Sequence, residues 1–134
     1  MSFQNPSREE IERCLREAKN LAVVGLSDNP FRTSHAVSAA MQRWGYRIIP
    51  VNPAIRAALG EPAHGTLSDA MAALDPDTRI DIVNVFRRPE HVAEVVDECI
   101  RLGLPALWLQ EGVVDEAAAD RARAAGLFVV MDRC

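Results

Sequence analysis

The chain has 134 residues, 49% of them hydrophobic and 25% charged, a composition that excludes a disordered or collagen-like polymer. That length predicts one domain able to bury roughly two-thirds of its unfolded surface. With 15 Lys+Arg against 19 Asp+Glu the formal charge is −4, which argues against a nucleic-acid binder, since that function needs a basic face.

No apolar run approaches the ~18 residues of a membrane span, and Met1 to Pro6 carry neither a basic nor a hydrophobic region. The expectation is therefore a cytoplasmic protein with no membrane partner. Cys14, Cys99 and Cys134 are odd in number and far apart, which fits neither a disulfide framework nor a metal-binding pair, so reduced thiols are expected. His35, His64 and His91 are equally dispersed, so no metal site is expected. The basic residues are 14 Arg and the single Lys19. Arg is the side chain suited to forked phosphate contacts.

Short apolar runs alternate with helical patterns along the chain. Ser7-Arg8-Glu9-Glu10 is a capping box ahead of Ile11, Leu15 and Ala18, which predicts a first helix to about Lys19. Leu21 to Gly25 reads as a strand buried on both faces and ended by glycine. Ser34 is expected to cap a second helix whose stripe is Val37, Ala40, Met41 and Trp44, with Trp44 packing on the sheet and Gly45 as terminator. Tyr46 to Val51 is the next strand, stopped by Asn52-Pro53. Short helices are predicted over Ala54 to Leu59 and Ser68 to Leu74, with room for a minor edge strand between them. Ile80 to Phe86 is the third main strand, and Pro89 opens a helix carrying Val92, Val95, Val96, Cys99 and Ile100 up to Gly103. Ala106 to Leu109 is the fourth strand. A helix from Asp115 or Glu116 to Ala125 and a last strand, Leu127 to Met131, complete the pattern.

Five strands alternating with helices imply an α/β fold: a single three-layer Rossmann-like domain with a parallel sheet and right-handed crossovers. In such sheets ligands bind beyond the carboxyl ends of the strands, where strand order reverses. If the third main strand lies beside the first, the order is 2-1-3-4-5 and the crevice holds Gly25-Leu26-Ser27 and Phe86-Arg87-Arg88, with Val51-Asn52-Pro53 alongside. The polar loop from Ser27 through Asn29 to Arg32, Thr33 and Ser34 runs straight into a helix start, where unpaired N–H groups and a partial positive charge favour a phosphate. A dinucleotide fingerprint would need glycines where Ser27 and Pro30 stand, and an acid where Asn52-Pro53 end the second strand. NAD and FAD are therefore disfavoured. No Gly-Lys-Ser/Thr triplet of a phosphate-binding Walker loop occurs either.

Val24-Gly25-Leu26-Ser27, Pro30-Phe31-Arg32-Thr33-Ser34, Ile49-Pro50-Val51-Asn52-Pro53, Val85-Phe86-Arg87-Arg88-Pro89, Trp108-Leu109-Gln110-Glu111-Gly112 and Met131-Asp132-Arg133-Cys134 together resemble the small stand-alone CoA-binding domain family. This family is similar to the CoA-binding domain of the succinyl-CoA synthetase alpha subunit, without its second domain or its phosphorylated histidine. The resemblance runs from about Leu21 to Cys134. It implies coenzyme A as ligand, with its phosphates on the loop from Gly25 to Ser34, its nucleotide portion beside Asn52-Pro53, and Phe86-Arg87 opposite. Trp108, Gln110 and Gly112 match a further motif, expected to meet the pantetheine arm or a partner. Arg56 and Arg88 are further candidates for phosphate contact. Family members commonly continue beyond the Met-Asp-Arg-Cys motif.

The resulting expectation is a module that binds CoA or an acyl-CoA without catalysis of its own, since no nucleophile sits with a base and an orienting third group. Two rival readings are a CoA-ligase-like subunit that needs a partner chain, and a thiol redox or interaction domain using Cys134. The macromolecular partners compatible with this reading are a second copy of the chain, as a homodimer, or another protein. Cys99 and Cys14 are expected in the core.

Overall fold

The computed structural model describes residues 3–134. In chain order the elements are α1 (Arg8–Glu17), β1 (Asn20–Val24), α2 (Thr33–Arg43), β2 (Arg47–Val51), a minor hairpin of β3 (Ala57–Ala58) and β4 (Glu61–Pro62), α3 (Leu67–Ala73) and β5 (Ile82–Val85). A single 3-10 turn, Pro89–His91, then leads into α4 (Val92–Leu102), followed by β6 (Ala106–Leu109), α5 (Glu116–Ala124) and β7 (Phe128–Val130).

The five longer strands pair in the order β2-β1-β5-β6-β7, all parallel. Counting those five alone, this is the 2-1-3-4-5 order expected from the sequence. Leu21, Ala22, Val23 and Val24 are all buried, as a central strand with cover on both sides requires. One face, with Val24, Val51, Val85 and Leu109, packs on α3, α4 and α5, where Leu67, Val96, Cys99 and Ala119 close the core. The other face, with Leu21, Val23, Ile48 and Ile82, receives Leu15 of α1 and Met41 of α2. Helices therefore cover both faces. Asn5 brackets the edge beyond β7, accepting from the Met131 N–H at 2.8 Å and donating to the Met131 carbonyl at 2.9 Å, which occupies an otherwise free strand edge.

Register fixes where the loops emerge. Val24 lies level with Val51 on one side and with Val85 on the other, so Asn52, Gly25 and Phe86 leave the sheet at one edge. After β1 the chain turns to α2 on one face, and after β5 it turns to α4 on the other. A crevice opens between these two exits.

Three local expectations are corrected. Ala54 to Leu59 forms no helix. Its residues make a turn and then β3, with Leu59 at φ 54° and Gly60 at φ 78° turning the chain into β4. Good helix formers such as Ala and Leu do not suffice in a six-residue stretch that cannot repay helix nucleation. Ser34 does not cap α2. It lies in the first turn, and the capping position falls to Arg32, whose side chain makes no capping bond. Trp44 is 74% exposed rather than packed on the sheet. The buried positions of α2 are Ser34 and Ser38, small residues that let the helix lie close. The apolar stripe Val37, Ala40 and Trp44 is thereby rotated toward an open side.

The Ser38 hydroxyl is buried without a hydrogen-bond partner among the described residues, and an unsatisfied buried polar group costs about 1–3 kcal/mol. Ser38→Ala is expected to stabilise the fold by about 1 kcal/mol, read as a higher urea midpoint at unchanged slope. A lower midpoint would show that the hydroxyl is satisfied in solution.

Candidate functional site

Gly25 begins the site. Its φ of +87° is one that L side chains rarely adopt, and a Cβ there would lie 2.3 Å from the Phe86 carbonyl oxygen and 3.0 Å from Arg87 Cδ. Only glycine lets the exit of β1 pass this close to the exit of β5. The Gly25 N–H donates to the Val51 carbonyl at 2.8 Å, and the Phe86 N–H to the Val24 carbonyl at 2.8 Å. These bonds clamp the ends of all three strands together.

The loop beyond Gly25 is held by its own side chains. Ser34 Oγ accepts from the Ser27 N–H at 3.0 Å, tying the start of the loop to the first turn of α2. Ser27 Oγ accepts from the Asn29 N–H and Asn29 Oδ1 from the Phe31 N–H, each at 3.0 Å. Asn29 is thus a loop brace. Two successive side-chain turns of this kind fix a polar segment without help from the core. The N–H groups of Thr33 and Ser34 stand in the first turn of an eleven-residue helix, where they have no intrahelical acceptors and carry the positive end of the helix dipole.

These parts surround a hollow of about 660 Å³, within the range of small-molecule sites. Gly25, Ser27, Arg32, Thr33 and Ser34 line it from one side, Phe86, Arg87 and Arg88 from the other, and Gln110 and Gly112 at the end of β6. The three residues on which the site depends most, Ser27, Arg32 and Arg87, therefore share one space. Its charge is set by three guanidinium groups against the carboxylate of Glu111. Among the described ion pairs none involves Arg32, Arg87 or Arg88. An anion entering the hollow does not have to displace a carboxylate from any of the three.

Seven expected positions lie outside the hollow, the loop brace Asn29 among them. Leu26 is fully buried and anchors the loop in the core. Val51 is buried in the core on the face of the sheet that α3, α4 and α5 cover. Asn52 is a brace: its Nδ2 donates to the Leu26 carbonyl at 3.0 Å and its Oδ1 accepts from the Ala54 N–H at 2.9 Å. Pro53 is exposed beside it, with its Cβ 3.7 Å from the position a Gly65 side chain would take. Trp108 donates from its indole nitrogen to the Arg133 carbonyl at 2.8 Å and faces a separate, apolar hollow. Arg56 is exposed and does not line the hollow.

The sequence reading missed Phe31, Pro89, Glu111, Val113 and Cys134 as lining residues. Phe31 carried a usable signal: it is an aromatic in a polar loop, and it stands 96% exposed on the rim. In the turn after β6 the motif pointed to Gln110 and Gly112, but nothing in it singled out Glu111 or Val113. The shape of that turn comes from Gly112 at φ 82°, whose N–H donates to Asp132 Oδ1 at 2.8 Å.

A third hollow, at the amino ends of the strands, is lined by Glu10, Glu17 and Asp81 against Arg13. Three carboxylates facing one guanidinium repel a phosphate.

The thiols differ sharply. Burial, reinforced by Glu98, pushes Cys99 up to about 12. Burial, with Glu17 and Asp81, raises Cys14. A thiol pKa raised in the folded state contributes stability that is full below its ordinary 9.0 and is lost as pH climbs toward about 12. Alkylation of the native protein at about pH 8 is expected at exposed Cys134 first, slowly at Cys14, and at Cys99 only on unfolding. Peptide mapping reads the order, and labelling of Cys99 in the native state would contradict this account of the core.

Residues 19–134 match the family model described as a CoA binding domain. The chain belongs to that family. The CoA-binding domain is 49% identical to the YneT protein of Bacillus subtilis (strain 168) over 132 residues, which is 98% of this chain and 93% of that one. It superposes on a structure from Thermus thermophilus with TM-score 0.86 and 32% identity, covering 96% of this chain and 93% of that one. A Pyrococcus horikoshii structure matches with TM-score 0.84 and 30% identity over 100% of this chain and 93% of the other. The family resemblance read from the motifs thus holds, together with the α/β fold. Among the described residues no helix is long and apolar enough to cross a membrane.

Proposed function

We propose that this domain binds coenzyme A or an acyl-CoA in the hollow between the exits of β1 and β5, as a binding module without catalysis of its own. The observation that carries this reading is the set of three guanidinium groups free of described ion pairs, facing the first turn of α2 across one hollow. Ser27, Thr33 and Ser34 with the helix amides receive the diphosphate. Arg32 and Arg87 neutralise it, and Arg88 serves the 3′-phosphate. The exposed ring of Phe31 stacks on the adenine, an arrangement aromatic rings favour.

Each charge-assisted contact contributes about 1.5–3 kcal/mol in a partly desolvated cleft. Two of them with the helix amides support micromolar affinity, near −8 kcal/mol, after association costs. Asn52 braces two strand ends where a dinucleotide enzyme keeps an acid for the ribose, which speaks for CoA over NAD. The described residues lining the hollow include serine, threonine and cysteine but no histidine, so among them no imidazole base stands beside a nucleophile.

Calorimetric titration tests the reading. CoA is expected to bind with a Kd of about 1–10 μM, dephospho-CoA more weakly, and NAD without saturation. Absence of saturable CoA binding at about 1 mM, or equal binding of NAD, overturns it.

A further inference from the structure

Beside the anion-binding hollow lies a second one of about 310 Å³, on the face of the sheet that α1 and α2 cover incompletely. Val37, Ala40 and Met41 of α2, Leu15 of α1, and Ile82 and Trp108 of the sheet form its walls. Among the described residues no charged side chain lines it. Its polar groups sit together at one end, where Gln110 Nε2 donates to Asn84 Oδ1 at 2.6 Å, both residues being 6% exposed.

Gln110 and Cys134 line both hollows. The anion-binding hollow and the apolar hollow therefore adjoin at the end of β6, the arrangement that a ligand with a phosphate end and a hydrocarbon end requires. We infer that the apolar hollow takes the acyl chain of an acyl thioester whose nucleotide end occupies the phosphate loop. The ligand class is then a medium-chain acyl-CoA rather than free CoA. This rests on the CoA reading and adds a commitment to the acyl group.

The rotated stripe of α2 gains a role under this assignment. Val37, Ala40 and Trp44 face away from the sheet contact made by Ser34 and Ser38, and they present hydrocarbon to the hollow. The buried amide pair lies at the junction, where the thioester carbonyl or the last pantetheine amide is the one polar group to satisfy. Burying a methylene tightens binding by about three- to fourfold.

The test is a titration series with free CoA and its acetyl, butanoyl, hexanoyl and octanoyl thioesters. Affinity is expected to rise with each methylene, on the order of a hundredfold from butanoyl to octanoyl. Ala40→Trp, which fills the hollow, is expected to flatten that slope. Val37→Asp, which puts a charge in the hollow, should do the same should the first variant fail to fold. CoA binding with no dependence on chain length overturns the acyl assignment and leaves the CoA reading standing. A flat series with a dimer that Trp44→Arg splits assigns the hollow to a second copy and likewise overturns it. Binding of neither CoA nor any thioester overturns both.

Discussion

Gly25→Ala is expected to remove about 2 to 5 kcal/mol of stability and, with it, ligand binding. The left-handed conformation costs an L residue about 1–2 kcal/mol, and overpacking a tight site costs about 1–3 kcal/mol. The added methyl meets the Phe86 carbonyl oxygen at 2.3 Å, and backbone cannot swing aside as a flexible side chain can. Relief comes only by parting β1 from β5, which breaks the Phe86 to Val24 hydrogen bond and opens the crevice. Gly45→Ala is the matched control. Gly45 also has positive φ, at +104°, but among the described residues nothing lies within 4 Å of its added Cβ, so only the conformational part of the cost applies. Thermal unfolding should fall by roughly 8 to 20 °C for Gly25→Ala and by clearly less for Gly45→Ala. Equal shifts would mean that the close approach of the strand exits is not a constraint.

Arg87→Ala is expected to weaken CoA binding by about 10- to 150-fold with little change in stability. The Arg87 side chain is half-buried in the hollow, faces the first turn of α2 and forms no described ion pair. Its contact is therefore shielded from water, and its loss costs about 1.5–3 kcal/mol. Arg32 is exposed, so solvent screening limits Arg32→Ala to about fivefold, an effect that shrinks further as salt rises. Arg8→Ala, which removes an exposed pair with Glu12 on α1, should leave affinity unchanged. Calorimetry at low and high salt separates the three. An Arg87→Ala protein that binds like the parent would remove Arg87 from the site.

The strands and their order were legible because each is a short β-branched run ended by Gly, Pro or Asn, and because a parallel sheet admits few connections. Gly25 and the loop to Ser34 were legible for the same reason: a glycine followed by a polar loop and a helix start has few other uses at a strand end. What could not be read was the direction in which equivalent residues turn. Ser34 and Ser38 look like surface positions, yet they form the buried contact of α2 because small side chains allow close approach. Trp44 carries more hydrocarbon than either and is turned outward. Asn52 and Leu26 stand beside the crevice in sequence, but one is used up bracing the backbone and the other anchors the core. Phe31 was passed over because an exposed aromatic in a loop obeys no periodicity. Trp108 and Gln110 adjoin along β6 and its exit, yet only Gln110 reaches both hollows.

The central claim is a place as much as a ligand, so the most direct measurement is a crystal structure of the domain grown with CoA. The account predicts the diphosphate between the first turn of α2 and Arg87, within hydrogen-bond reach of Ser27, Thr33 or Ser34. Diphosphate density in the acidic hollow beside α1, or a fully occupied CoA whose phosphates touch neither Arg32 nor Arg87, would contradict it.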